Sequence, residues 1–172
     1  MGYTTDFTGE FEITPVLTPE QVAYIRAFAD TRRMGRYEEK AAKESDPVRE
    51  AVGLPIGCEG GYYVGDADPG FATRCGDGLV IDINTPPKGQ PGLWCQWVST
   101  ADGSKLGWDG GEKFYHYTEW LRYLIEHFFE KWDRKLNGEV CWSGEDSTDL
   151  GKIVVVDNEV TVLSGTVTYH ER

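Results

Sequence analysis

The chain has 172 residues, with 17 Lys and Arg against 29 Asp and Glu and a net charge of −12. That balance excludes a nucleic-acid binder held by phosphate neutralisation, because such a surface needs clustered cations. A hydrophobic content of 40% with 13% aromatic residues excludes wholesale disorder and is ample for the core of one domain.

Residues 1–15 lack the charged and apolar regions of a secretory leader. Residues 5–13 (TDFTGEFEI) alternate Phe7, Phe11 and Ile13 with polar neighbours and predict a half-buried strand. Thr18-Pro19-Glu20-Gln21 supplies an N-cap, a Pro at the first helical position and a Gln two residues later, opening a helix with Val22, Ile25, Phe28 and Ala29 on its apolar face. This helix is expected to end near Met34 and Gly35. Residues 35–57 are charged, poor in aromatics and punctuated by Pro47 and Pro55, which predicts a mobile insertion within a single domain.

Strands are predicted at 59–65, 79–83 and 93–99, separated by turn residues, with residues 84–91 (NTPPKGQP) too rich in proline for a central strand. A long helix is predicted from Glu112 to Lys135, followed by strands at 137–143, 152–157 and 159–169, the last two joined by a tight turn at Asp157-Asn158. The order implies an α+β domain in which two helices pack on a mostly antiparallel sheet. No segment approaches the roughly 20 apolar residues that span a bilayer, so a cytoplasmic protein with no membrane contact is expected.

On the long helix, Phe114, Tyr117, Leu121, Leu124, Ile125, Phe128 and Trp132 recur at helical spacing and form the core face. His116, Trp120, Tyr123 and His127 step by four, three and four along a second face. As a surface, that stripe is a candidate partner-binding site, because Trp and Tyr dominate interface hot spots, and a candidate homodimer contact. The alternative is that residues 35–57 or another loop cover it.

Residues 26–49 hold seven basic and five acidic residues, whereas 59–112 hold eight acidic and three basic, and 139–159 six acidic and one basic. The acidity therefore belongs to loops. Arg32, Arg33 and Arg36 follow the first helix; they either complement its dipole or form an anion site for a nucleotide or phosphorylated signal, with Trp94, Trp97 or Trp108 to stack on. Asp66, Asp68 and Asp77 loosely resemble a calcium loop, but Gly70 and Phe71 break the pattern. Cys58, Cys75, Cys95 and Cys141 form no C-x-x-C pair, so neither metal nor other cofactor is assigned. For an enzyme the candidates are Cys75, His116, His127 and Asp82, which form no complete catalytic motif, and a non-enzymatic role is favoured.

The stretches QPGLWCQW (90–97), WDGGEKFY (108–115), EWLRYLIE (119–126) and LNGEV (136–140) resemble a family of small acidic proteins encoded by bacteriophages and prophage-bearing bacteria. The resemblance covers residues 90–160 and implies a mobile-element origin in a bacterial cytoplasm. The family carries no agreed activity, so no catalytic role follows from it. What is expected is an accessory or anti-defence protein that binds a host or phage protein, with capture of a nucleotide as the alternative.

Overall fold

The computed structural model describes residues 2–65 and 78–172. Six strands form one antiparallel sheet in the order β4-β5-β1-β6-β7-β8: β1 (Thr5–Thr14), β4 (Trp97–Ser99), β5 (Lys105–Trp108), β6 (Lys135–Gly144), β7 (Leu150–Val156) and β8 (Glu159–Ser164). A two-stranded sheet pairs β2 (Gly35–Arg36) with β3 (Val80–Asp82). The α+β architecture is the one expected.

Period-two patterning sends one face of the sheet inward. Phe7, Phe11 and Ile13 of β1, Leu136, Val140 and Trp142 of β6, and Ile153 and Val155 of β7 are all buried, whereas their neighbours Glu10, Glu12, Glu139 and Cys141 face solvent. The two central strands approach closely at glycines. A Cβ on Gly9 would stand 2.5 Å from the Glu139 carbonyl, and one on Gly138 would stand 2.9 Å from that of Glu10. Both glycines also hold positive φ, which only glycine adopts without strain.

Helix α1 (Pro19–Asp30) covers the inner face. Its capping box is present: the Gln21 amide donates to Thr18 Oγ1, and the Thr18 amide donates to Gln21 Oε1. The helix stops at Asp30, four residues short of the expected end, and Tyr24 joins Ile25, Phe28 and Ala29 on its buried face.

The second helix is shorter than predicted and has two parts, α4 (Tyr117–Leu124) and a π-helical turn, Ile125–Phe129. Bonds from Glu130 N to the Ile125 carbonyl and from Arg134 N to that of Phe129 span five residues each. Phe114 and Trp132 pack in or against the core from outside this helix.

Residues 35–57 carry two short helices, α2 (Glu38–Ala41) and α3 (Pro47–Ala51). Asp46, fully buried, pairs with Arg49 and accepts the amides of Val64 and Gly65, while Arg49 Nη1 donates to the Leu54 carbonyl. These bonds fasten the segment read as an insertion to the body of the domain. Residues 59–65 form no strand: a 3-10 turn (Cys58–Gly60) opens them, and Glu59, Gly60 and Gly65 take positive φ. Among the described residues no helix is long and apolar enough to cross a membrane.

Candidate functional site

Two connections meet beside the N-terminus of α4. The first, residues 84–96, joins β3 to β4 and is pinned at several points. Gln90 Nε2 donates to the Gly61 carbonyl and the Tyr123 hydroxyl, the Arg33 amide donates to the Leu93 carbonyl, and the Gly35 amide donates to the Thr85 carbonyl. Its start is a turn closed by Asp82, whose carboxylate accepts from the Asn84 amide and the Thr85 hydroxyl; those two bonds hold its pKa below the usual carboxylate value.

The second connection, residues 109–116, is anchored by Phe114, which is buried against Phe7 and Trp97. Burying that ring turns Lys113 and Tyr115 outward on either side. Gln96 braces the loop: its Nε2 donates to the Glu112 carbonyl and its Oε1 accepts from Trp108 Nε1. Asp109 caps Gly111, and burial together with nearby Asp30 raises its pKa.

Between the two lies a cleft of about 560 Å³ lined by Asn84, Pro86, Pro91, Trp94, Glu112, Lys113, Tyr115 and His116, among others. Trp94 is 40% exposed and Tyr115 48% exposed, so two large aromatic side chains border one concave surface. Lys113 and His116 both sit in the left-handed region, at φ of 59° and 56°, a conformation costing an L-residue about 1–2 kcal/mol. Backbone strain of this kind recurs at binding sites, where the surrounding structure enforces it. On the floor, a Cβ on Gly92 would lie 3.5 Å from His116 Cδ2 and 3.6 Å from Trp120 Nε1. The Trp120 indole N–H is buried beneath Gly92 and has no acceptor among the described residues.

The stripe predicted on the long helix is divided by the structure. His116 precedes α4 and lines the cleft. Trp120 and Tyr123 are buried, packed against Phe28 of α1, so neither is a surface for a partner. Phe28 of α1 and the 90–92 segment, through the Gln90 bond to the Tyr123 hydroxyl and the approach of Gly92 to the Trp120 indole, supply their cover. His127 is half-buried, stacked 4.0 Å from Tyr123 and bonded through Nδ1 to the Tyr62 hydroxyl at 2.6 Å.

The arginine cluster disperses as well. Because α1 ends at Asp30, residues 32–36 lie outside the helix, with the Met34 amide bonded back to the Arg32 carbonyl, and two guanidinium groups turn inward. Arg33 is fully buried, donates through Nη2 to the carbonyls of Gly61 and Tyr63, and stacks 4.1 Å from the Phe28 ring. Burial lowers its pKa. Arg36, also buried, donates to the carbonyls of Met34 and Arg32. The expected anion site is thereby reduced to Arg32, which is partly exposed and reaches the Ile83 carbonyl and Asn84 Oδ1 at the cleft rim.

Asp82, His116 and His127 occupy three different places in the fold. Cys75 and the calcium-like residues Asp66, Asp68, Gly70, Phe71 and Asp77 lie outside the described residues. Among the described residues no three His, Cys, Asp or Glu side chains gather to hold a metal ion.

The chain matches no protein-family model, no curated protein and no solved structure. Of the cleft's residues, the sequence pattern marks His116 as a site residue and Trp94 only as a stacking surface. Tyr115, Pro86 and Pro91 carry no such mark; the signal for them is the density of proline and aromatic residues in 84–94 and 108–116.

Proposed function

We propose that this chain is a binding protein that captures an extended segment of a partner protein in the Trp94–Tyr115 cleft. The observation that carries the proposal is the pair of half-exposed aromatic rings on a concave, braced surface. Rigid aromatic side chains offer contact area at low entropic cost. Proline rings of an extended segment fit such a surface, since the polyproline conformation is preformed and presents unpaired carbonyls to indole and other N–H donors. The chain's net charge of −12 favours a partner with basic residues flanking those prolines, while the cleft lining itself balances Glu112 against Lys113. The resemblance of residues 90–160 to bacteriophage-encoded proteins supports a host protein as that partner and an accessory or anti-defence role in the bacterial cytoplasm.

The test is a fluorescence titration with a panel of proline-rich, arginine-flanked peptides. Saturable binding is expected, weakened about 30-fold or more in Trp94→Ala and Tyr115→Ala, which is the size of a hot-spot loss. Equal affinity of these variants and the parent would overturn the reading. A nucleotide or phosphorylated signal is the second reading, motivated by Arg32 beside Asn84 at the rim. Stabilisation by ATP that disappears in Arg32→Ala would favour it over the peptide.

A further inference from the structure

The sheet ends on one side at β8, and among the described residues nothing pairs with its outer edge. The opposite edge, β4, is three residues long with Trp97 and Ser99 buried. Strand β8 has no such cover: Val162 and Leu163, on its two faces, are 41% and 45% exposed. It also lacks the Lys, Pro or bulge with which edge strands usually block association.

Which backbone groups are free follows from the hairpin. Asp157 and Asn158 both take positive φ between Val156 and Glu159, which face each other, so this two-residue turn makes those flanking residues a hydrogen-bonded pair. Alternation then turns the N–H and C=O of Thr161, Leu163 and Gly165 toward β7, and those of Val160, Val162 and Ser164 outward. The bond from the Gly165 amide to the Leu150 carbonyl, 2.7 Å, agrees with this phase. Leu150 is also where β7 begins. The strand-like run 159–169 therefore outlasts its partner, and residues 166–169 continue without a ladder, with Val167 and Tyr169 exposed.

We infer that β8 and its extension pair antiparallel with the same segment of a second copy about a two-fold axis at Ser164. In that register Val162 stands opposite Thr166 of the second copy and Val160 opposite its Thr168, all four with outward backbone groups. On the other face Thr161 meets Val167, and Glu159 meets Tyr169. The unladdered tail of each copy thus completes the edge of the other, and the sheet doubles with closed two-fold symmetry. Charge selects a copy of the chain as the occupant. From Val160 to Tyr169 there is no ionisable acid or base other than the Tyr169 phenol, and between 159 and 169 the register opposes no two carboxylates. It is therefore a strip along which two molecules of charge −12 can meet without direct repulsion.

Light scattering at high micromolar concentration and physiological salt tests this. The parent is expected at twice the 19.3 kDa chain mass, and Thr166→Pro/Thr168→Pro at the chain mass with an unchanged far-UV spectrum, because both positions lie outside every strand of the single chain. Hydrogen exchange supplies a second readout, with the Val160 and Val162 amides protected in the parent and exchanging freely in the variant. A monomeric parent, a dimer that survives the double proline, or unprotected Val160 and Val162 amides in a dimeric parent would overturn the inference.

Discussion

The hydroxyl of Tyr62 and Nδ1 of His127 are 2.6 Å apart, and this single hydrogen bond ties the loop after the 3-10 turn to the π-helical turn. The imidazole lies flat against Tyr123, whose hydroxyl accepts from Gln90, so the bond ends a chain of contacts leading to the cleft loop. His127 is the middle residue of that π-turn, and its imidazole meets Tyr62.

Burial lowers the pKa of His127 from its ordinary 6.5, the Lys131 ammonium acts in the same direction, and Glu126 opposes both. Between the folded value and 6.5 the unfolded chain binds more protons than the folded one, so stability rises with pH across that window. The expected outcome is a melting temperature that falls as pH is lowered through this window, with a shallower fall in His127→Gln, measured by circular dichroism in buffers of constant ionic strength.

Asp46 and Arg49 are a buried pair with further bonds on both sides. Removing the carboxylate strands a buried guanidinium and two amides, which costs about 3–5 kcal/mol. Asp46→Ala is therefore expected to lower the urea midpoint steeply, and Asp46→Asn, which keeps an acceptor for the Val64 and Gly65 amides, to lower it less.

Burial pushes the thiol of Cys95 up to about 12, whereas Cys58 and Cys141 are exposed. Thiolate is the reactive form. Peptide mapping after iodoacetamide treatment of the native protein is expected to find Cys58 and Cys141 modified and Cys95 intact, with Cys95 labelled only after unfolding.

Gly92 is the one cleft position where a methyl group would make only ordinary contacts, against His116 and Trp120. Gly92→Ala is expected to keep stability within about 0.5 kcal/mol, measured by urea titration. Gly92 lines the cleft, so the added methyl takes space from a bound segment and peptide affinity is expected to fall.

The sheet was legible where one local signal decided the outcome. Phe7, Phe11 and Ile13 marked β1, Thr18 with Gln21 marked the start of α1, and Asp157-Asn158 marked the last turn. Strand β5 (Lys105–Trp108) was missed because KLGW is short and glycine interrupts it. The long helix extends less far than its aromatic spacing, which continues through Phe114 and Trp132, because the backbone turns left-handed at His116 and again at Asp133. The burial of Arg33 depends on carbonyls from residues 61 and 63, a tertiary fact that no local spacing encodes. The cleft needed the same information, since its two loops are separated in sequence by β4 and β5.

The central claim is that Trp94 and Tyr115 form a recognition surface for an extended, proline-bearing segment. Its most direct measurement is the indole N–H spectrum of the 15N-labelled protein during titration with an arginine-flanked proline-rich peptide. The account predicts that the Trp94 and Trp120 resonances move together and saturate while those of Trp97 and Trp142, bonded to the Tyr117 carbonyl and Asp149, stay fixed, and that Tyr115→Ala abolishes the movement. A stationary Trp94 resonance at saturating peptide, or shifts that survive Tyr115→Ala, would contradict it.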